Sequence, residues 1–164
     1  MGQINTREIC LLGPTTFTTS GTGPDINLPQ AFQAAVLSFT TSTVSGTSPT
    51  FDVFIQKKLG QPAATDTSGL APTGTAIYDD VLHFSQTTTS GTTRISQLAT
   101  GSQVPTANAT LITTADWAQA DASIAAGDIR VGPIGGQWRV KVTVSGTSPS
   151  AVLAVTAQMI PWST

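Results

Sequence analysis

The sequence offers very little chemistry: one histidine, one cysteine, one tyrosine and one glutamate in 164 residues. Charged residues make up 10%, against about 25% in an average soluble protein. Seven scattered Lys and Arg and a net charge of −2 give no electrostatic footprint for a phosphate backbone, so no nucleic-acid partner is expected. No apolar run approaches the roughly 18 residues of a membrane helix, so no membrane partner is expected either. The start, Met1 to Glu8, lacks the basic-then-apolar layout of a secretory signal, and synthesis in the cytoplasm without one is the expectation. A lone Cys10 cannot close an internal disulfide. Within Ile9-Cys10-Leu11-Leu12 it reads as a buried, inert thiol.

Catalytic groups are equally scarce. His83 stands between Leu82 and Phe84 in an alternating strand, where an ordinary packed or surface histidine is expected rather than a general base. One His and one Cys are too few for a metal site built on them. Asp79 and Asp80 point to opposite faces of a strand and read as solvated strand-end charges, not as paired carboxylates. The glycine-rich Gly132-Pro133-Ile134-Gly135-Gly136 precedes a strand, not a helix, and reads as a turn rather than a phosphate loop. No catalytic residue, cofactor or metal is expected, and no enzyme.

What the sequence has instead is hydroxyl: 29 threonines and 15 serines. With 39% hydrophobic residues and a mean hydropathy of +0.12, it is too apolar for a disordered chain. Threonine is β-branched and favours strands, and Gly-Thr, Gly-Pro and Ser-Gly pairs punctuate short alternating blocks. The expected fold is all-β: an antiparallel β-sandwich or jelly-roll-like domain over 31–164, with at most one short helix. Residues 1–30, broken by Gly13-Pro14, Gly21, Gly23-Pro24 and Pro29, read as an extended N-terminal arm. The helix is placed at 114–126, capped by Thr114 and ended by Gly127. A long loop is placed at 60–75.

One internal repeat stands out. Val44-Ser45-Gly46-Thr47-Ser48-Pro49-Thr50 returns as Val144-Ser145-Gly146-Thr147-Ser148-Pro149-Ser150, six identities in seven. Each copy lies between two strand-like blocks and reads as a β-hairpin with a five-residue loop. Two similar hairpins in neighbouring positions are favoured over a duplication of the chain. Alternation turns Trp138, Val140, Val142 and Val144 inward, and likewise Phe51, Val53 and Ile55. Asp52, Phe54 and Gln56 then share the outward face. Exposed aromatics anchor interfaces, so Phe54, Trp162 in the tail and Phe17 in the arm are the candidate interaction residues.

The blocks Ser45–Gln56 and Trp138–Pro149, with Tyr78-Asp79-Asp80-Val81-Leu82-His83-Phe84 between them, resemble a pattern in small structural proteins of tailed bacteriophages. The likeness covers roughly residues 35–160. It implies a virion component, most like a head decoration (cement) protein: a trimer on the outer capsid surface, with the major capsid protein as partner. The family has no catalytic residues to carry over. A neck, tail or fibre-associated protein is the alternative within virions. A carbohydrate-binding β-sandwich using Trp117 or Trp162 is the alternative of another class.

Overall fold

The computed structural model describes residues 6–28, 32–60, 76–99, 111–112, 129–130 and 136–161. The fold is all-β, and no helix occurs among the described residues. Its strands are β1 (Arg7–Phe17), β2 (Gly21–Thr22), β3 (Ile26–Leu28), β4 (Phe32–Gly60), β5 (Ile77–His83), β6 (Thr93–Ala99), β7 (Leu111–Ile112), β8 (Ile129–Arg130) and β9 (Gly136–Pro161). All join one sheet and pair antiparallel, except that β7 and β8 run parallel. The helix expected at 114–126 lies outside the described residues. So does the loop expected at 60–75, beyond its first residue, Gly60, which ends β4.

Two strands dominate, β4 with 29 residues and β9 with 26, whereas ordinary strands run to about 5–6. Alternation of apolar residues drives both. On β4, Leu37 and Phe39 and then Phe51, Val53 and Ile55 are at most 1% exposed. On β9, Trp138, Val140 and Val142 point inward, followed by Ala151, Leu153, Val155, Ala157 and Met159. The expected inward faces are therefore those observed, with Val144 partly buried against them.

The repeats do not form hairpins. Each long strand runs straight through its copy, and the two copies pair with each other: Val44 with Ala151, Ser45 with Ser150, Thr47 with Thr147, Thr50 with Ser145, Phe51 with Val144. Thr47 and Thr147 sit at the centre of a local twofold. The backbone specials match across it: Gly46 and Gly146 at φ 115° and 109°, Ser48 and Ser148 both at φ 49°. These residues, with Pro49 and Pro149, bend each strand rather than reverse it. A hairpin would require the blocks flanking one copy to pair with each other. Instead they pair with the blocks flanking the other copy.

The twofold extends well beyond the crossing. β1 lies on the second half of β9 and β5 on the second half of β4, with the same bulge in both. Cys10 faces Thr156 and Leu12 faces Val155; Asp80 faces Gln56 and Leu82 faces Ile55. In each case one extra residue, Leu11 or Val81, is turned into the core. Ser20 Oγ accepts from Val144 N at 2.9 Å, and Ser90 Oγ accepts from Val44 N at 2.8 Å. Both serines belong to the same five residues, Thr-Thr-Ser-Gly-Thr, at 18–22 and 88–92. The chain is thus two copies of one unit: strand, serine-glycine turn, short strand, long strand. That arrangement replaces the expected pair of neighbouring hairpins.

The crossing divides the sheet into two wings. The first wing holds β6, β4 up to Val44, β9 from Ser150 and β1. The second holds β5, β4 from Thr50, β9 up to Val144, β2 and β3, and is extended beyond β5 by β8 and β7. Their inward faces form a single core cluster, and Phe39 of the first wing meets Phe84, just past β5, at 5.5 Å between ring centroids.

Residues 7–28 are extended, as expected of an arm, but they are not free. β1, β2 and β3 line β9 on both sides of the crossing. Leu11, Leu12, Phe17 and Leu28 are in the core. The β1 bulge explains why: it turns two consecutive leucines inward where simple alternation allows one.

A Cβ on Gly46 would stand 2.7 Å from Ser148 O, and one on Gly146 2.6 Å from Ser48 O, whereas one on Gly91 would meet nothing within 4 Å. Gly46→Ala and Gly146→Ala should each cost more than about 2 kcal/mol in urea unfolding, from left-handed strain and a backbone clash together. Gly91→Ala, strained but unobstructed, should cost about 1 kcal/mol. Equal losses at the three positions would contradict the reciprocal crossing.

Candidate functional site

The outward face of the second wing carries a connected set of polar side chains. Register brings Phe54 beside His83 on one neighbour and Lys141 on the other, Gln56 between Asp80 and Arg139, and Lys58 beside Tyr78. Starting from the β2–β3 connection, the Tyr78 hydroxyl donates to Asp25 at 2.6 and 2.8 Å, and Lys58 Nζ lies 3.8 Å from the same carboxylate. The Arg139 guanidinium lies 3.3 Å above the Tyr78 ring, a cation–π contact, while its Nε donates to Gln56 Oε1 at 2.7 Å. Gln56 Nε2 in turn donates to Asp80 Oδ1 at 2.7 Å. Lys141 Nζ lies 3.8 Å from Asp80 Oδ2 and 5.0 Å from the centre of the Phe54 ring.

Phe54 then stacks on His83 at 3.8 Å. His83 Nε2 is 3.3 Å from Asp52 Oδ1, and Gln86 Nε2 donates to both Asp52 oxygens. The chain of contacts crosses β5, β4 and β9 without a break. Burial, reinforced by the Asp25 carboxylate, raises the Tyr78 pKa above 10.0. On the inward side, register sets Lys57 between Asp79 and Trp138, and burial lowers the Lys57 pKa.

Several expectations change here. Phe54 does point outward, but it is only 6% exposed, because His83 covers its ring. Phe17 is buried in the core. Neither ring is a free interface anchor in this chain. Trp162 and Trp117 lie outside the described residues. Asp79 and Asp80 are both fully buried rather than solvated; Asp80 is held by Gln56 and Lys141. His83 is packed, as expected. Cys10 is exposed, not buried, because the β1 bulge gives the inward places to Leu11 and Leu12. Among the described residues no cluster of three His, Cys, Asp or Glu side chains is placed to share a metal ion.

The twofold supplies an internal comparison. Where the second wing has Asp80, Gln56, Phe54, Asp52 and Lys58, the first has Cys10, Thr156, Ala154, Val152 and Gln158. Arg139 and Lys141 correspond to Ser38 and Thr40. One backbone thus carries two outward faces, one neutral and one charged. Beside the charged face runs an open groove of about 320 Å³, whose lining includes Gly21, Thr22, Thr143, Gln56, Arg139 and Lys141.

No protein-family model, curated protein sequence or solved structure matches the chain.

Tyr78 is the only tyrosine, so its ionisation is read directly as tyrosinate absorbance. The wild-type titration should fall above pH 10.0, and Asp25→Asn should move it down. A hydroxyl whose pKa is raised on folding stabilises fully below the unfolded value and loses that contribution as pH rises through the folded one. The alkaline fall in stability should therefore be shallower in Tyr78→Phe. Cys10 should react with a thiol reagent in the native protein nearly as fast as in urea; native protection would contradict its outward place.

Proposed function

We propose that this protein is a structural component of a tailed-phage particle, a decoration protein that binds the outer surface of the head through the major capsid protein and stabilises the lattice. The supporting observation is where the charge lies. Of the charged side chains described, only Arg7, Glu8 and Asp25 are exposed, and Asp25 is engaged by Tyr78 and Lys58. On a single face Lys141 pairs with Asp80, Lys58 with Asp25, Asp52 with His83 and Gln86, and Arg139 with Gln56 and the Tyr78 ring. The rest of the described surface is chiefly threonine and serine. Such a surface is covered by another protein at little cost in charge desolvation, and low charge favours association. Assembly as a trimer belongs to the same proposal.

The sugar-binding reading finds less support. It needs accessible aromatic platforms, and among the described residues Trp138 is 1% exposed while the Tyr78 ring lies under Arg139.

The test is sedimentation of purified protein with empty phage heads, expanded and unexpanded. Binding to at least one form, at a copy number approaching that of the coat subunit, is the expected outcome. Failure to bind either form would remove the proposal.

A further inference from the structure

We infer that the groove beside β2 is a carboxylate-binding site that takes an acidic side chain presented by an extended segment of a partner protein. Its lining includes two cations, Arg139 and Lys141, and the carboxylate next to them, outside the lining, is that of Asp80. Asp80 is 2% exposed, and one of its oxygens is taken by the Gln56 amide. Asp25 serves Lys58 and the Tyr78 hydroxyl, and Asp52 serves His83 and Gln86. The groove lining thus includes two cations and no carboxylate of its own, with Asp80 the acid beside them. Of the five N–H donors of Arg139, the one on Nε is committed to Gln56. Gln56 and the Tyr78 side chain hold the guanidinium plane in place, and its remaining N–H groups are of the kind that grips a planar carboxylate. Lys141, with its side chain 35% exposed, supplies the second contact.

The other copy of the unit shows that the fold does not require these cations. There the same backbone, with Gly91 and Thr92 in place of Gly21 and Thr22, carries Ser38, Thr40 and Thr156 in place of Arg139, Lys141 and Gln56. Gly21 adds no side chain to the lining, and Thr22 and Thr143, both exposed, add neutral hydroxyls. A single carboxylate matches the two lining cations; a phosphate cluster does not. For the identity of its partner, an acidic side chain of the coat subunit, the inference rests on the lattice-binding reading.

The experiment has two arms. In the first, labelled protein is titrated with the peptide acetyl-Thr-Glu-Thr-amide, with its Gln counterpart and with sulfate, and the amide shifts of Gly21, Thr22 and Thr143 are followed. The Glu peptide should shift them saturably and the Gln peptide should not. Lys141→Met, at the more exposed cation, should weaken binding about fivefold, the loss of one charge-assisted contact. Arg139→Gln should abolish it. Absence of shifts, or equal binding of sulfate, overturns the site.

In the second arm, wild type and Lys141→Met are sedimented with phage heads, with unfolding midpoints as the control for folding. Weaker binding by a folded Lys141→Met supports the assigned partner, and equal binding overturns it. If wild type itself fails to bind heads, the lattice reading falls while the peptide titration still decides the groove.

Discussion

The mutual closure of two glycines against each other's strand is the constraint on which the rest of the fold depends. Gly46 lies against the backbone of Ser148 and Pro149, and Gly146 against that of Ser48 and Pro49. Neither bend fits unless the other is present, so the two repeats constrain each other. The crossing also sets the register of β4 on β9 over both wings. A slip of one residue would turn every inward side chain outward. The segments passing the crossing on either side, 18–22 and 88–92, are tied to it by Ser20 and Ser90, whose hydroxyls bond the two equivalent valines. Sequence identity between the copies is concentrated at these points because both copies meet the same steric demand there. Elsewhere the demand is only for alternation, which many residues satisfy.

Given one backbone used twice, the differences between the wings are informative. Apart from Lys57 and Asp79, which stand inward where the first wing has Ala157 and Ile9, both wings bury equivalent inward positions and share the same bulge, so their cores largely match. Their outward faces do not. The second wing holds Gln56, Asp80 and His83 nearly out of solvent, which is tolerable only because each has a partner. Gln56 is the middle of this set: its oxygen serves Arg139 and its nitrogen serves Asp80. Truncating it would leave a buried carboxylate and a guanidinium without their shared link, a much larger cost than the net worth of either hydrogen bond. The first wing, with Thr156 and Cys10 at those places, carries no such obligation.

How much of this was legible in the sequence follows from what each signal reports. Alternation identifies faces, and Phe51, Val53, Ile55, Trp138, Val140 and Val142 were readable from it. It does not identify pairing partners, which is why Val44–Thr50 and Val144–Ser150 read as two hairpins rather than as each other's partner. Glycine, serine and proline at those positions signal a change of direction, and a bend shared by two strands uses the same residues as a reversal. Bulges defeat alternation outright. Leu11 and Leu12 both point inward, so Cys10 comes out and the segment taken for an arm joins the core. Outward Phe54 was readable from the pattern, but its cover was not, since His83 lies on a different strand. The polar set was overlooked for the same reason. Each member looks isolated along the chain, and only the register joins Asp52, Gln56, Asp80 and Arg139. The matching Thr-Thr-Ser-Gly-Thr at 18–22 and 88–92 was the available clue to the duplication.

The scarcity of charge takes on a definite meaning in this arrangement. A chain with so few ionisable groups could scatter them to keep itself soluble. Here most of those described are drawn together on one wing, where they neutralise one another across three strands. The described surface is therefore left chiefly to hydroxyls, which interact with water and with another protein's backbone on similar terms. Of the charges on that face, Arg139 and Lys141 line the open groove, and such a pair appears beside only one of two otherwise equivalent turns. On the proposed reading, a broad neutral surface with one small cation-lined groove suits a partner contacted over a wide area and oriented by a single acidic group. The internal twofold lets one fold present both faces: one wing carries the plain face and the other the charged one, and the crossing that holds both is the same.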